Sequence, residues 1–352
     1  MKRLLMLLML LLAVCTACQK KTADENDTFR LLVKSHGLFG YCDRYGNMVI
    51  PAQFMHASIF SEGLAGVEVN GKNGYIDPMG KMVIQPQFDA GTVFKEGKAA
   101  IKSGDKFGYI DRTGKVIIEP RFLATFAFTE GLAVAAVAEK GALKTGFIDP
   151  SGKFVIPPTY DDAAPFANGL AAVKVDKKLG YIDKTGATVI KASYDDAAPF
   201  RDDRAMVRVN GKMGKIGYID TKGNMVIPAI YDNGTSFHDG IAAVLTDKEK
   251  WLLIDGSGKQ IIPHDIKGAT MFREGLAPVV EKKKIGYMDK TGKMVIKSQF
   301  EAGSIFAEGL APVKVGDKCG YINKKGKMVI KPEFEWDQRV IDQYVTFYTS
   351  MK

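Results

Sequence analysis

Soft metal ligands are scarce in this chain, which has four Cys, two of them within the first eighteen residues, and four His. They cluster nowhere, which excludes a zinc or iron-sulfur centre. His36, His56, His238 and His264 share no metal spacing and have no Ser or Cys motif beside them, so a hydrolase triad has no support. Neither a Gly-x-Gly-x-x-Gly strand-turn-helix nor a Walker loop occurs, and no cofactor is expected. The one long apolar run, residues 4–14, is shorter than the roughly 20 residues that a spanning helix needs. Charge of one sign does not dominate: 49 Lys and Arg against 40 Asp and Glu give +9, spread thinly along 352 residues. That permits an anionic partner and is no nucleic-acid signature.

What is present begins with an address. Met1-Lys2-Arg3 precedes the apolar run, and Cys15-Thr16-Ala17-Cys18 follows it. Basic, apolar and small residues in that order make a secretion signal. The stretch resembles a bacterial lipoprotein signal, which implies that Cys18 becomes the first mature residue and carries diacylglycerol. Cys15 is disfavoured because β-branched Val14 precedes it. Residues 1–17 are then the signal peptide and 18–28 a lipidated polar tether, too poor in apolar side chains to fold. The expected location is the cell envelope, lipid-anchored, with the outer membrane favoured; Gln19 merely lacks the Asp that retains some lipoproteins at the inner membrane, so inner against outer and the periplasmic or surface face stay open.

The rest of the chain is one unit repeated. Gly-Tyr-Ile-Asp or a variant begins at Gly40, Gly74, Gly108, Gly146, Gly180, Gly217, Leu252, Gly286 and Gly320, at spacings of 34 to 38 residues. Each Asp, or Asn323 in the ninth copy, is followed three residues later by Gly. A second column, Phe60, Phe94, Phe128, Phe166, Phe200, Phe237, Phe272 and Phe306, usually precedes Gly-Leu-Ala-x-Val. Length therefore counts modules rather than domains.

Within a unit the apolar pattern has period two and is rich in β-formers, which predicts three short strands. Asp-x-x-Gly between two of them suits a turn whose carboxylate accepts backbone N–H bonds. Such a unit cannot bury its own aromatics, so neighbours must stack on it. The expected fold class is all-β: nine three-stranded units over residues 29–335, with 336–352 as a C-terminal cap or tail. An open superhelical solenoid is favoured and a closed β-propeller is the alternative, because propeller blades usually take about 40 to 45 residues and rings usually stop near eight blades.

The repeat resembles the WG (or KWG) repeat, which reads roughly Lys-x-Trp-Gly-Tyr-Ile-Asp-x-x-Gly-Lys-x-Val-Ile-x-Pro, then Tyr-Asp, Phe and Gly-Leu-Ala-x-Val. The likeness covers residues 30–335. It departs at the Trp slot, where only Trp251 survives. The resemblance implies a binding or structural repeat and no catalysis.

Most acids in these columns suit turns. Asp43, Asp77, Asp111, Asp149, Asp183, Asp220, Asp255 and Asp289 recur too regularly for a catalytic group. Asp161-Asp162 and Asp195-Asp196 sit at one repeat position in consecutive units, and adjacent residues on an extended chain point apart, so they make no glycosidase pair. Cys42 and Cys319, at different offsets from their unit Gly, are expected as buried free thiols. The candidate ligand-binding stripe is Lys72, Lys106, Lys144, Lys178, Lys215, Lys250, Lys284 and Lys318, two residues before the unit start. A column of acids at Glu62, Glu96, Glu130, Asp202, Asp239, Glu274 and Glu308 is expected to neutralise it wholly or in part. The expected function is a membrane-tethered binding or scaffold surface for a protein or anionic glycan, with a ligand-free envelope spacer as the alternative. An enzyme, confined to one divergent unit, ranks last.

Overall fold

The computed structural model describes residues 28–211, 213–262 and 271–350. The signal, Cys18 and nearly all of the tether lie outside the described residues. Nine antiparallel sheets follow one another along the chain. Blade 3 is typical, with strands Ala90–Gly91, Lys98–Ser103, Lys106–Asp111 and Val116–Phe122 in sequential order. The two-residue strand at the start of this unit is the element that the sequence pattern hides. It makes five of the nine sheets four-stranded.

Tight connections define the two ends of every blade. One hairpin joins the second and third strands; Asn70 and Gly71 both adopt positive φ there, +51° and +74°, which matches the right-handed strand twist. The Asp-x-x-Gly turn joins the third and fourth strands at the opposite end. Asp77 Oδ1 accepts N–H bonds from Met79 and Lys81, each at 2.9 Å, and Gly80 N donates to Asp77 O. The disc thus has a hairpin face and a turn face. The repeat Gly at Gly108 is demanded by the outer strand, whose Ile118 carbonyl would lie 2.4 Å from a Cβ at that position.

The array closes into a ring, so the solenoid expectation is corrected in favour of a nine-bladed propeller. Each turn Gly covers an Ile of the preceding blade: Gly80 on Ile50, Gly114 on Ile84, Gly152 on Ile118, and so on to Gly326 on Ile296. The ninth such step runs from Gly46 of the first blade back to Ile330 of the last. Across this seam Leu31, Val33 and Cys42 share one buried cluster with Leu310, Cys319, Tyr321, Ile330 and Phe334. Both thiols are free, as expected, and they meet there because stacked blades turn opposite faces toward each other.

The C-terminal helix, Gln338–Ser350, completes the closure. Among the described residues, blade 1 has only the strands Leu31–Ser35, Leu38–Cys42 and Met48–Phe54, with no innermost short strand. In blades 2, 3 and 7 a hydroxyl beside that strand, Ser58 Oγ, Thr92 Oγ1 or Thr235 Oγ1, accepts an N–H bond from the next strand. At the matching position of blade 1, Leu32 N donates instead to Tyr344 Oη of the helix at 2.7 Å. Gln343 binds the backbone of Ala57 and Ile59, and Lys34 pairs with Asp337 at 2.9 Å. In the C-terminal segment the helix Gln338–Ser350 thus covers the inner edge of Leu31–Ser35.

Candidate functional site

One segment per blade, on either side of the column Phe, borders the central channel. The Phe itself turns into the ring and meets the Tyr of the preceding blade edge-on, as in Tyr109–Phe128 and Tyr181–Phe200, both with centroids 4.9 Å apart. That Tyr hydroxyl also donates to the carbonyl two residues before the Phe: Tyr75 to Thr92, Tyr181 to Ala198, Tyr287 to Ser304. Burial raises these phenols well above their ordinary pKa, so they remain donors. With Phe and carbonyl fixed, the residues before and after the Phe are left to line the lumen.

The acid column follows directly and does something other than neutralise the Lys column: Glu130 and Glu274 pair with Lys184 and Lys324, which lie outside it. Glu62, Glu96, Asp202 and Asp239 adopt positive φ and accept the N–H of a turn Gly in the next blade, at Gly97, Gly131, Gly240 and Gly275 respectively. They stand on the turn side of the disc, at the far end of the strands from the Lys column. The expected mutual neutralisation is corrected on that ground.

The lysines find other carboxylates. Lys72 pairs with Asp89, Lys144 with Asp161, Lys178 with Asp195, Lys215 with Asp232 and Lys284 with Glu301, at 2.5 to 3.7 Å. Each acid lies on the link to the next blade, and Asp89, Asp195 and Glu301 also accept N–H from the next blade's hairpin. The Lys hydrogen bond depresses the carboxyl pKa of Asp89, Asp161 and Asp195. Lys106, Lys250 and Lys318 occupy the same register. The eight positions form a circle on the hairpin face rather than a straight stripe. Asp161 and Asp195 thus serve as blade-linking acids, and their neighbours Asp162 and Asp196 cap local backbone N–H groups.

The residue after each column Phe escapes the repeat: Ser61, Lys95, Thr129, Ala167, Arg201, His238, Arg273 and Ala307. A search for columns passes over such a position. The available signal was variability, with cations and small residues interchanged inside an otherwise regular motif. Between the helix and blades 2–6 the channel keeps a cavity of about 1030 Å³. Lys95 and Arg201 are half-buried in its wall, and among the described residues neither cationic head has an ion-pair partner. Burial is the first cause that lowers the pKa of each; for Lys95 the Arg201 charge adds to it and Glu96 opposes it, and for Arg201 the adjacent Asp202 opposes it more than Arg273 adds, the net direction staying downward. His238 is likewise held below its ordinary value by burial and then by Arg201. No group of three or more His, Cys, Asp or Glu placed to hold a metal ion occurs among the described residues.

A family model described as the WG containing repeat matches residues 39–72, 74–107, 107–140, 146–178, 180–212, 216–251, 253–284, 285–319 and 320–336. The chain belongs to the WG-repeat family. Nine matches correspond to the nine blades of this WG-repeat propeller. Comparison with curated proteins finds no match. Among solved structures, the computationally designed Ika8 protein is 15% identical with a TM-score of 0.42, covering 76% of this chain and 93% of its own. BamB from Moraxella catarrhalis is 12% identical with a TM-score of 0.40, covering 75% and 96%. Hsv2p of Kluyveromyces lactis is 12% identical with a TM-score of 0.38, covering 66% and 92%.

Proposed function

We propose that this WG-repeat propeller is an extracytoplasmic, lipid-anchored scaffold whose hairpin face binds a protein or anionic glycan of the cell envelope. One observation carries the reading: the chain enters the ring on the turn face, where Leu31 pairs with Cys42 beside the Asp43 turn. A tether from Cys18 would therefore hold the turn face toward the bilayer and leave the circle of lysines pointing away. Exposed ion pairs such as Lys72–Asp89 are screened by solvent and weak, so an anionic partner can exchange with the internal carboxylates. Many weak equivalent contacts then add through multivalency.

The test uses the chain from Gln19 onward, passed over immobilised envelope glycans and over crosslinked whole-cell lysate at low and high salt. Salt-sensitive retention that disappears when the eight lysines become Gln supports the reading. Retention unchanged in that variant, or none at all, removes it. Palmitate labelling of the full chain, lost in Cys18→Ser, tests the anchor separately.

A further inference from the structure

The lumen offers chemistry that the outer faces do not use. Its cavity of about 1030 Å³ lies at the upper end of the size of small-molecule sites. Val93, Phe126, Pro165, Pro199 and Phe347 give it an apolar wall. Phe126 is half exposed although it belongs to a rigid channel segment, so a large ring faces open space there. Such a wall favours an apolar body.

The polar groups decide the sign of the ligand. Four acids also border the cavity, and each has a partner. Glu62 and Glu96 hold the Gly97 and Gly131 amides, Glu130 holds the Gly169 amide and Lys184, and Asp342 accepts from Gln338. Arg339 is engaged by Asp337. That leaves Lys95 and Arg201, two cations on blades 3 and 6, each flanking a Phe that is fully buried. Cations of like sign held in an apolar wall destabilise the empty ring, and an anion placed with them would relieve that cost.

We propose that the channel binds a small amphipathic anion, its acidic head paired with Lys95 and Arg201 and its apolar body lying along Phe126, Pro165, Pro199 and Phe347. The site is independent of the lysine circle. A carboxylate between an ammonium and a guanidinium gains charge-assisted hydrogen bonds from both. A neutral molecule of the same shape gains only the apolar contacts.

The experiment uses the chain from Gln19 onward with 1-anilinonaphthalene-8-sulfonate as probe, and laurate and dodecanol as competitors. Stoichiometric probe binding, displaced by laurate at least tenfold more effectively than by dodecanol, is expected. The Lys95→Gln/Arg201→Gln variant should weaken probe and laurate binding by at least tenfold. Ala127→Trp, which fills the lumen, should abolish binding while the circular dichroism spectrum is retained. The ligand-free melting temperature of the double variant supplies a second readout: unchanged or raised if the cations wait for a ligand, lowered if they support the ring. Equal displacement by the alcohol, affinity unaffected by the double variant, or no binding at millimolar probe would overturn the proposal. Because none of these substitutions touches the hairpin face, retention on envelope material should persist in all of them, so the two readings fail separately.

Discussion

The rings of Tyr75 and Phe94 meet edge-on, 5.0 Å apart at 68°, although they belong to blades 2 and 3. The Tyr75 hydroxyl also reaches the Thr92 carbonyl of blade 3 at 2.9 Å. The repeat is therefore held together by a contact that crosses each boundary, and no blade owns both halves of it. A ring pair of this kind contributes about 0.5 to 1.5 kcal/mol beyond its buried area.

Phe94→Ala should consequently destabilise the ring by about 3 to 5 kcal/mol, the usual cost of emptying a fully buried aromatic site. Tyr75→Phe should cost about 1 kcal/mol, because it removes one hydrogen bond and keeps the ring. The chain already tolerates that state in blade 4, where Phe147 packs on Phe166 with centroids 4.8 Å apart. Denaturant melts of the two variants would rank them.

Glycines at similar φ should respond unequally to alanine. Gly97, at φ +73°, has open space where a Cβ would stand, whereas at Gly114, at φ +89°, the added carbon would lie 2.8 Å from Ile84 Cγ2. Gly97→Ala should cost about 1 kcal/mol through its backbone alone. Gly114→Ala adds overpacking and should cost about 2 to 4 kcal/mol. Equal losses of melting temperature would show that the blade-to-blade contact at Ile84 is loose.

The helix that fills the gap in blade 1 makes a third prediction. Tyr344→Phe strands the Leu32 amide and should cost about 1 to 3 kcal/mol, with faster hydrogen exchange along Leu31–Ser35. Deleting residues 338–352 should lower the melting temperature further and leave blade 1 the first part to exchange.

Asp337 ties that helix to a pH window. Arg339 first, and then Lys34, hold its carboxyl well below the ordinary carboxylate range. A carboxyl depressed in the folded ring stabilises it fully above the unfolded value of about 3.9, and that stabilisation drains away as pH falls toward the lower folded value. Melting temperature should therefore decline below about pH 4 more steeply in the parent than in Asp337→Asn, which lacks the contribution throughout. Parallel declines would remove Asp337 from the account.

The strands and turns of each unit were legible in the residues, since Asp77 and Gly80 can do little else at that spacing and the period-two runs pair as read. Closure was not. It depends on how far each blade rotates relative to the last, a sum over contacts between units such as Gly114 on Ile84 that leaves no mark in composition. The Lys partners were misread because Glu62 and Lys72 lie ten residues apart in sequence and at opposite ends of a strand. Lys95 and Arg201 stayed hidden because a search for what repeats discards what does not.

A blade that borrows its innermost element from the far end of the chain has a consequence in time. While the polypeptide is still emerging, Leu31–Ser35 waits for the cover that Gln338–Ser350, made far later in the chain, lays along its inner edge. The ring can be locked only once that helix has been made, so a chain stopped or clipped before it is left as an unlocked arc with a bare strand for another molecule to pair with.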